Sequence, residues 1–219
     1  HGQALGLLAR GLGDLHFAAH DLGVQYIAAD DDTGIVGTGD AQQQQMMGLA
    51  AAVIEIEILT GLEAVTVPTA TGEWDTDYAA KVAAALGVLK KHDFVALHLE
   101  GPDEATHNHD LEHKIYSIER LSADVVAPVT EALRAAGEDF RLLLLSDHMT
   151  YMANGAHGAD PVPFVLYDSR VTEGSGLPYS EANGAKGPYV DDGAQLMDLL
   201  VGHVNLFAGF KIDAVDDAV

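Results

Sequence analysis

FVALHLEGPDEATH, Phe94 to His107, decides the fold. Its first six residues are an apolar run of strand length, and Glu100, Gly101 and Pro102 break it. Asp103 and His107 follow, four residues apart, so a helical turn opened by Asp103 sets both side chains on one face. FRLLLLSDH, Phe140 to His148, repeats the order: an apolar run, then a carboxylate and an imidazole. Because Asp147 and His148 are neighbours, they can act together only on an irregular loop just past a strand end.

Outward from these two stretches, short β-rich runs alternate with amphipathic segments. Glu63 to Val67 reads as a strand, Asp77 to Leu89 as a helix and Phe94 to Leu99 as a strand. Leu111 to Ala136 reads as a long helix, broken or ended near Pro128. Phe140 to Leu145 is a third strand, and Pro161 to Tyr167 a fourth, which its prolines place at a sheet edge. After a glycine-rich loop from Glu173 to Gly187, Asp191 to Val201 reads as a helix stopped by Gly202. The alternation predicts an α/β layered fold: a mainly parallel sheet with helices on both faces. Residues 1–60 fit a strand, a loop and a helix without strong caps.

The chain of 219 residues, 48% hydrophobic, is expected to form a single domain over 1–219. Its 34 acidic and 11 basic residues give a formal charge of -23, which disfavours nucleic acid and anionic membranes as partners. No apolar segment is long enough to span a bilayer. The opening HGQALGLLARGL lacks the basic start and cleavage site of a signal peptide. With no cysteine, thiolate sites and disulfides are excluded, which fits a cytoplasmic protein. The acidity fits either a salt-rich cytoplasm, whose counterions screen surface carboxylates, or an ordinary acidic protein.

In open α/β sheets, function collects at the carboxyl ends of the strands. Asp103, His107, Asp147 and His148 should therefore meet at one edge, and His157, on the loop before the fourth strand, can close the site. Taken singly, each is more simply a helix cap or a surface residue; five together point to metal. Three imidazoles and two carboxylates suit zinc or manganese, and exceed what one four-coordinate ion requires, so two divalent ions are expected. Such a pair stabilises attacking and leaving oxygens in phosphoryl transfer.

HLEGPDEATHNHDLEHK (His98 to Lys114), LLLLSDHMT (Leu142 to Thr150) and AHGADPVPF (Ala156 to Phe164) closely resemble the archaeal-type, bisphosphoglycerate-independent phosphoglycerate mutases, metalloenzymes of the alkaline phosphatase superfamily. GLEAVTVPTATGEWDTDY (Gly61 to Tyr78) and GPYVDDGAQLMDLLVG (Gly187 to Gly202) extend the resemblance over most of residues 61–202. It implies an alkaline-phosphatase-like fold, Asp103, His107 and His157 on one ion, Asp147 and His148 on the other, and a small phosphorylated metabolite as substrate. It also implies a nucleophilic Ser or Thr, an N-terminal Asp and an inserted lid, and none of these is identifiable in this sequence. The chain therefore reads as a core domain incomplete on its N-terminal side. Phosphomonoester hydrolysis on the same scaffold, or a degenerate metal-binding module, are the alternatives.

Departures from the family pattern lie before Gly61, where Ile54, Glu55 and Glu57 replace a lysine and glycines. Asp30 to Thr33, an acidic run with both a carboxylate and a hydroxyl to offer, reads as a solvated turn, and Gly34 to Asp40 as a turn without a P-loop lysine. His98 reads as a hydrogen-bonded core histidine, His109 and His113 as residues of a solvated helix face, and Trp74 and Tyr78 as core anchors. Lys114 reads as a salt-bridge partner, with a phosphate contact as the alternative.

Overall fold

The computed structural model describes residues 4–10, 24–29, 63–172 and 174–202. Asp30 to Thr33, Gly34 to Asp40 and the departures at Ile54, Glu55 and Glu57 lie outside them. The strands β1 (Ala4–Arg10), β2 (Val24–Ala29), β3 (Glu63–Val67), β4 (Phe94–Leu99), β5 (Phe140–Ser146) and β8 (Phe164–Asp168) form a six-stranded sheet in the order β3-β2-β4-β1-β5-β8. A separate hairpin pairs β6 (Met149–Tyr151) with β7 (Ala156–Gly158).

β3, β2 and β4 run parallel. β1 lies between β4 and β5 and opposes both, Ala4 standing level with Leu99 and with Ser146. β4 and β5 therefore point the same way, and their carboxyl ends share one edge. β8 opposes β5 at the border of the sheet, starting one residue after Pro163. The expected mainly parallel arrangement thus holds for four strands and is interrupted by β1 and β8. Nothing in ALGLLAR distinguishes a central antiparallel strand from any other apolar run.

The two faces follow from alternation along each strand. Val95, Leu97 and Leu99 of β4, with Leu142 and Leu144 of β5, meet α1 (Tyr78–Val88) and the helices after residue 120. Phe94, Ala96, Leu143 and Leu145 face the other way, against Leu196, Leu199 and Leu200 of α6 (Gln195–Val201). Helices accordingly cover both faces, and the short α5 (Glu181–Gly184) precedes α6 in the chain. α1 keeps its expected limits, because the Asp77 carboxylate caps it by accepting from the Ala80 N–H at 2.9 Å.

The long helix does not break at Pro128. It runs as α3 (Leu111–Arg120), a π-helical segment (Leu121–Val126) and α4 (Ala127–Ala136), ending at Gly137 with φ 71°. Its buried residues Leu121, Val125, Val129 and Leu133 recur every fourth position, a spacing that overshoots the 3.6-residue α turn. A wider turn takes up part of that drift. The Ala127 N–H reaches back to the Ser122 carbonyl, five residues away, and this widening precedes a ring that has no N–H to donate.

The edge strand is fixed by charge. Arg141 Nε donates to Asp168 Oδ2 at 2.8 Å from the opposing position, and Arg141 also donates to the Leu200 carbonyl at the end of α6. Arg170 adds a second guanidinium, and the two hold the Asp168 carboxyl well below the usual range.

Candidate metal centre

α2 (Gly101–His107) leaves β4 directly. Gly101 permits this turn, since a Cβ there would meet Ser117 Oγ at 3.0 Å and the Glu73 carbonyl at 3.1 Å. Pro102 starts the helix, and the one-turn offset puts His107 Nε2 3.1 Å from Asp103 Oδ2. Asp103 is 2% exposed.

β5 delivers the second pair. The Asp147 carboxylate accepts from the His148 N–H at 2.9 Å, and His148 Nε2 lies 3.4 Å from Asp147 Oδ2. Burial pushes the Asp147 carboxyl up, and the adjacent His148 opposes that shift. The chain then turns through β6 and a tight loop into β7, which carries His157. Gly155, with φ 64°, closes that loop as its N–H donates to the Tyr151 carbonyl at 2.8 Å.

The hairpin seats His157 against α2. His157 Nε2 lies 2.9 Å from His107 Nε2 and 3.7 Å from Asp103 Oδ1, and its ring stacks on that of His148 at 3.8 Å. His107 Nδ1 donates to the Gly155 carbonyl at 2.8 Å, which turns Nε2 toward Asp103 and His157, where the neutral ring presents a lone pair. Among the described residues Asp103, His107 and His157 offer three donor atoms within 4.8 Å of one another. This set, one buried carboxylate and imidazole nitrogens facing it, has the chemistry of a divalent-metal site. All five residues singled out in the sequence gather at one sheet edge, three as a tight cluster and Asp147 with His148 beside it.

The lesser expectations resolve differently. Among the described residues Lys114 forms no salt bridge: it is 5% exposed and donates to the Thr150 carbonyl at 3.1 Å. His113 is half-buried rather than solvated, stacked on Trp74 at 3.8 Å and paired with Asp110 at 2.6 Å. His109 is exposed, with Nδ1 donating to the Met152 carbonyl. His98 lies 3.8 Å from Glu100, and burial brings it down to about 4.

Sequence reasoning missed Lys81, Glu100 and Thr150. Lys81 is 2% exposed and donates to the His98 carbonyl at 2.8 Å, and burial lowers it to about 8. The signal was its position on the face of α1 that carries Ala85 and Val88. Glu100 is raised to about 7, first by burial and then by the nearby Glu104. An acid with a raised folded pKa leaves stability unpenalised below its unfolded value and costs increasingly as pH climbs through the folded value. In metal-free protein the wild type should therefore lose up to about 3 kcal/mol relative to Glu100→Gln as pH rises from 4.5 to about 7. Urea unfolding across that window measures it, and a constant difference would show that Glu100 holds no proton there.

This α/β sheet, with an aspartate and imidazoles drawn together beyond the ends of its strands, is the architecture of a metal-dependent domain. A family model described as the Metalloenzyme superfamily matches residues 19–201, and the chain belongs to that family. The match starts well upstream of Gly61, so residues before it carry more of the family pattern than their motifs reveal. The 2,3-bisphosphoglycerate-independent phosphoglycerate mutase of Methanothrix thermoacetophila is 41% identical over 165 residues, 72% of this chain and 42% of that protein. Its namesake in Methanosarcina acetivorans is 36% identical over 150 residues, 65% of this chain and 38% of that one. The chain thus spans less than half the length of these relatives. The structure of PH0037 protein from Pyrococcus horikoshii has the same fold, with a TM-score of 0.62 at 22% identity over 85% of this chain and 51% of that chain. Family membership and the Asp103, His107 and His157 cluster together support use of a divalent metal. No helix among the described residues is long and apolar enough to cross a membrane.

Proposed function

We propose that this chain is the metal-binding core of a phosphoglycerate mutase, interconverting 3-phosphoglycerate and 2-phosphoglycerate in cytoplasmic glycolysis. The observation that carries the proposal is the convergence of Asp103, His107 and His157, with His148 stacked on His157 to bring the second pair alongside. Asp103, His107 and His157 hold one ion, and Asp147 and His148 contribute to a second, manganese or zinc in each case. Bound by these residues, the ions would supply positive charge to offset the phosphoryl oxygens and to activate a hydroxyl, the chemistry that phosphoryl transfer to a Ser or Thr requires. His107, held by the Gly155 carbonyl, presents Nε2 in a fixed orientation, and Asp103, buried in the cluster, supplies the negative charge that the ion balances. No described residue is assigned as the nucleophile. The chain is proposed to act as one domain.

Dialysed protein should carry about two equivalents of metal. His107→Ala and Asp147→Ala should each lower that content by elemental analysis, with far-UV circular dichroism unchanged. Unchanged content in both variants sinks the ligand assignment. Metal retained by the full-length protein without conversion of 3-phosphoglycerate sinks the mutase reading.

A further inference from the structure

We infer that Thr150 is a positioning residue that joins the two metal-ligand clusters through a single hydroxyl. Thr150 lies on β6, two residues past His148, and is 2% exposed. Its Oγ1 stands 2.5 Å from Asp103 Oδ1 and 3.2 Å from His148 Nδ1. One side chain therefore touches a member of each cluster.

The direction of both hydrogen bonds follows from what each group can do. A hydroxyl has one proton to give and lone pairs to accept with, whereas an ionised carboxylate only accepts. The Thr150 proton therefore goes to Asp103 Oδ1, which fixes the carboxylate and leaves Oδ2 turned to His107 Nε2 at 3.1 Å. Having spent its proton, Oγ1 meets His148 as an acceptor, so His148 Nδ1 must carry the hydrogen. The Met149 carbonyl, 3.3 Å from the same nitrogen, demands the same tautomer. His148 Nε2 then faces Asp147 Oδ2 at 3.4 Å, the arrangement in which a neutral imidazole and a carboxylate can share a cation.

Thr150 is itself held. Its carbonyl accepts from Lys114 Nζ at 3.1 Å, and Lys114, on α3, is 5% exposed. A buried ammonium on α3 thus ties the β6 backbone to that helix while the hydroxyl reaches Asp103 on α2. The inference rests on the metal reading above for what the two clusters bind, but the hydrogen-bond pattern that defines it belongs to the metal-free protein.

The test joins both levels. In the metal-free full chain, long-range nitrogen–proton NMR of His148 should report hydrogen on Nδ1; a ring with hydrogen on Nε2 alone would overturn the inference. In titrations with Co(II), Thr150→Val, which keeps the shape and removes the hydroxyl, should weaken uptake ten- to hundredfold and alter the visible ligand-field bands. Thr150→Ser, which restores the hydroxyl, should return affinity and spectrum to near wild type. Wild-type behaviour in Thr150→Val would overturn the inference, and so would a Thr150→Ser variant as weak as Thr150→Val, since the methyl rather than the hydroxyl would then matter. Should Thr150→Val fail to fold, Thr150→Ala takes its place against Thr150→Ser under the same criteria. A wild-type protein that takes up no Co(II) fails at a different point: it removes the metal reading, and the inference with it.

Discussion

Asp103→Asn is expected to weaken binding of the ion proposed for Asp103, His107 and His157 by more than about a hundredfold, since even groups that only support ligands are worth ten- to hundredfold. The substitution preserves volume and an acceptor for Thr150, so the loss isolates charge and ligation from packing. Asp103 is the one carboxylate of the cluster, and it is almost fully enclosed. Isothermal titration of metal-free protein with Zn(II) or Mn(II) measures the change. Retention of wild-type affinity would mean that the carboxylate ligates nothing and serves only to hold the two imidazoles.

Phe140→Ala should cost about 3–5 kcal/mol of folding stability, a large share of the roughly 5–15 kcal/mol that a domain possesses. Phe140 is fully buried at the start of β5, with its ring 5.5 Å from that of Tyr167 on β8. Its backbone N–H donates to Ser169 Oγ at 2.9 Å, and its carbonyl accepts from the Ser169 N–H, so the surrounding chain is held and cannot collapse into the space. Urea unfolding gives the value, and a loss below about 1 kcal/mol would show that the site refills by relaxation. β5 ends at the Asp147 and His148 loop, so this variant also tests whether damage at the far end of the strand reaches the ligands.

The parts legible in the sequence were those written locally. β3 and β4 have the expected limits, because apolar, β-rich runs bounded by turn residues leave little choice of backbone. The one-turn spacing of Asp103 and His107 needed only α2 to form. The pairing of β1 between β4 and β5 was not legible, since register across more than 80 residues leaves no local trace in ALGLLAR. The helix through Pro128 was misjudged because proline's usual effect was read without the four-residue spacing that favours a π turn there. Thr150 looked like a residue trailing a ligand pair, and its role exists only once β6 folds back on α2. α6 starts at Gln195 rather than Asp191, its first turn giving way to an irregular stretch rich in aspartate and glycine.

The β6 and β7 hairpin has consequences for motion. A two-stranded ribbon with three residues a side cannot sustain itself in water. What keeps it in place comes from outside: His107 holds the Gly155 carbonyl, His109 the Met152 carbonyl and Lys114 the Thr150 carbonyl. Each is a bond from a side chain of the helical layer to the hairpin backbone. Undocking residues 149–158 would break these bonds together with the one from the Thr150 hydroxyl to Asp103, and would uncover Thr150, which is 2% exposed. His157 would leave with that unit while Asp103 and His107 stay behind, so the cluster is complete only while these ten residues are docked, and anything bound across it would favour the docked form.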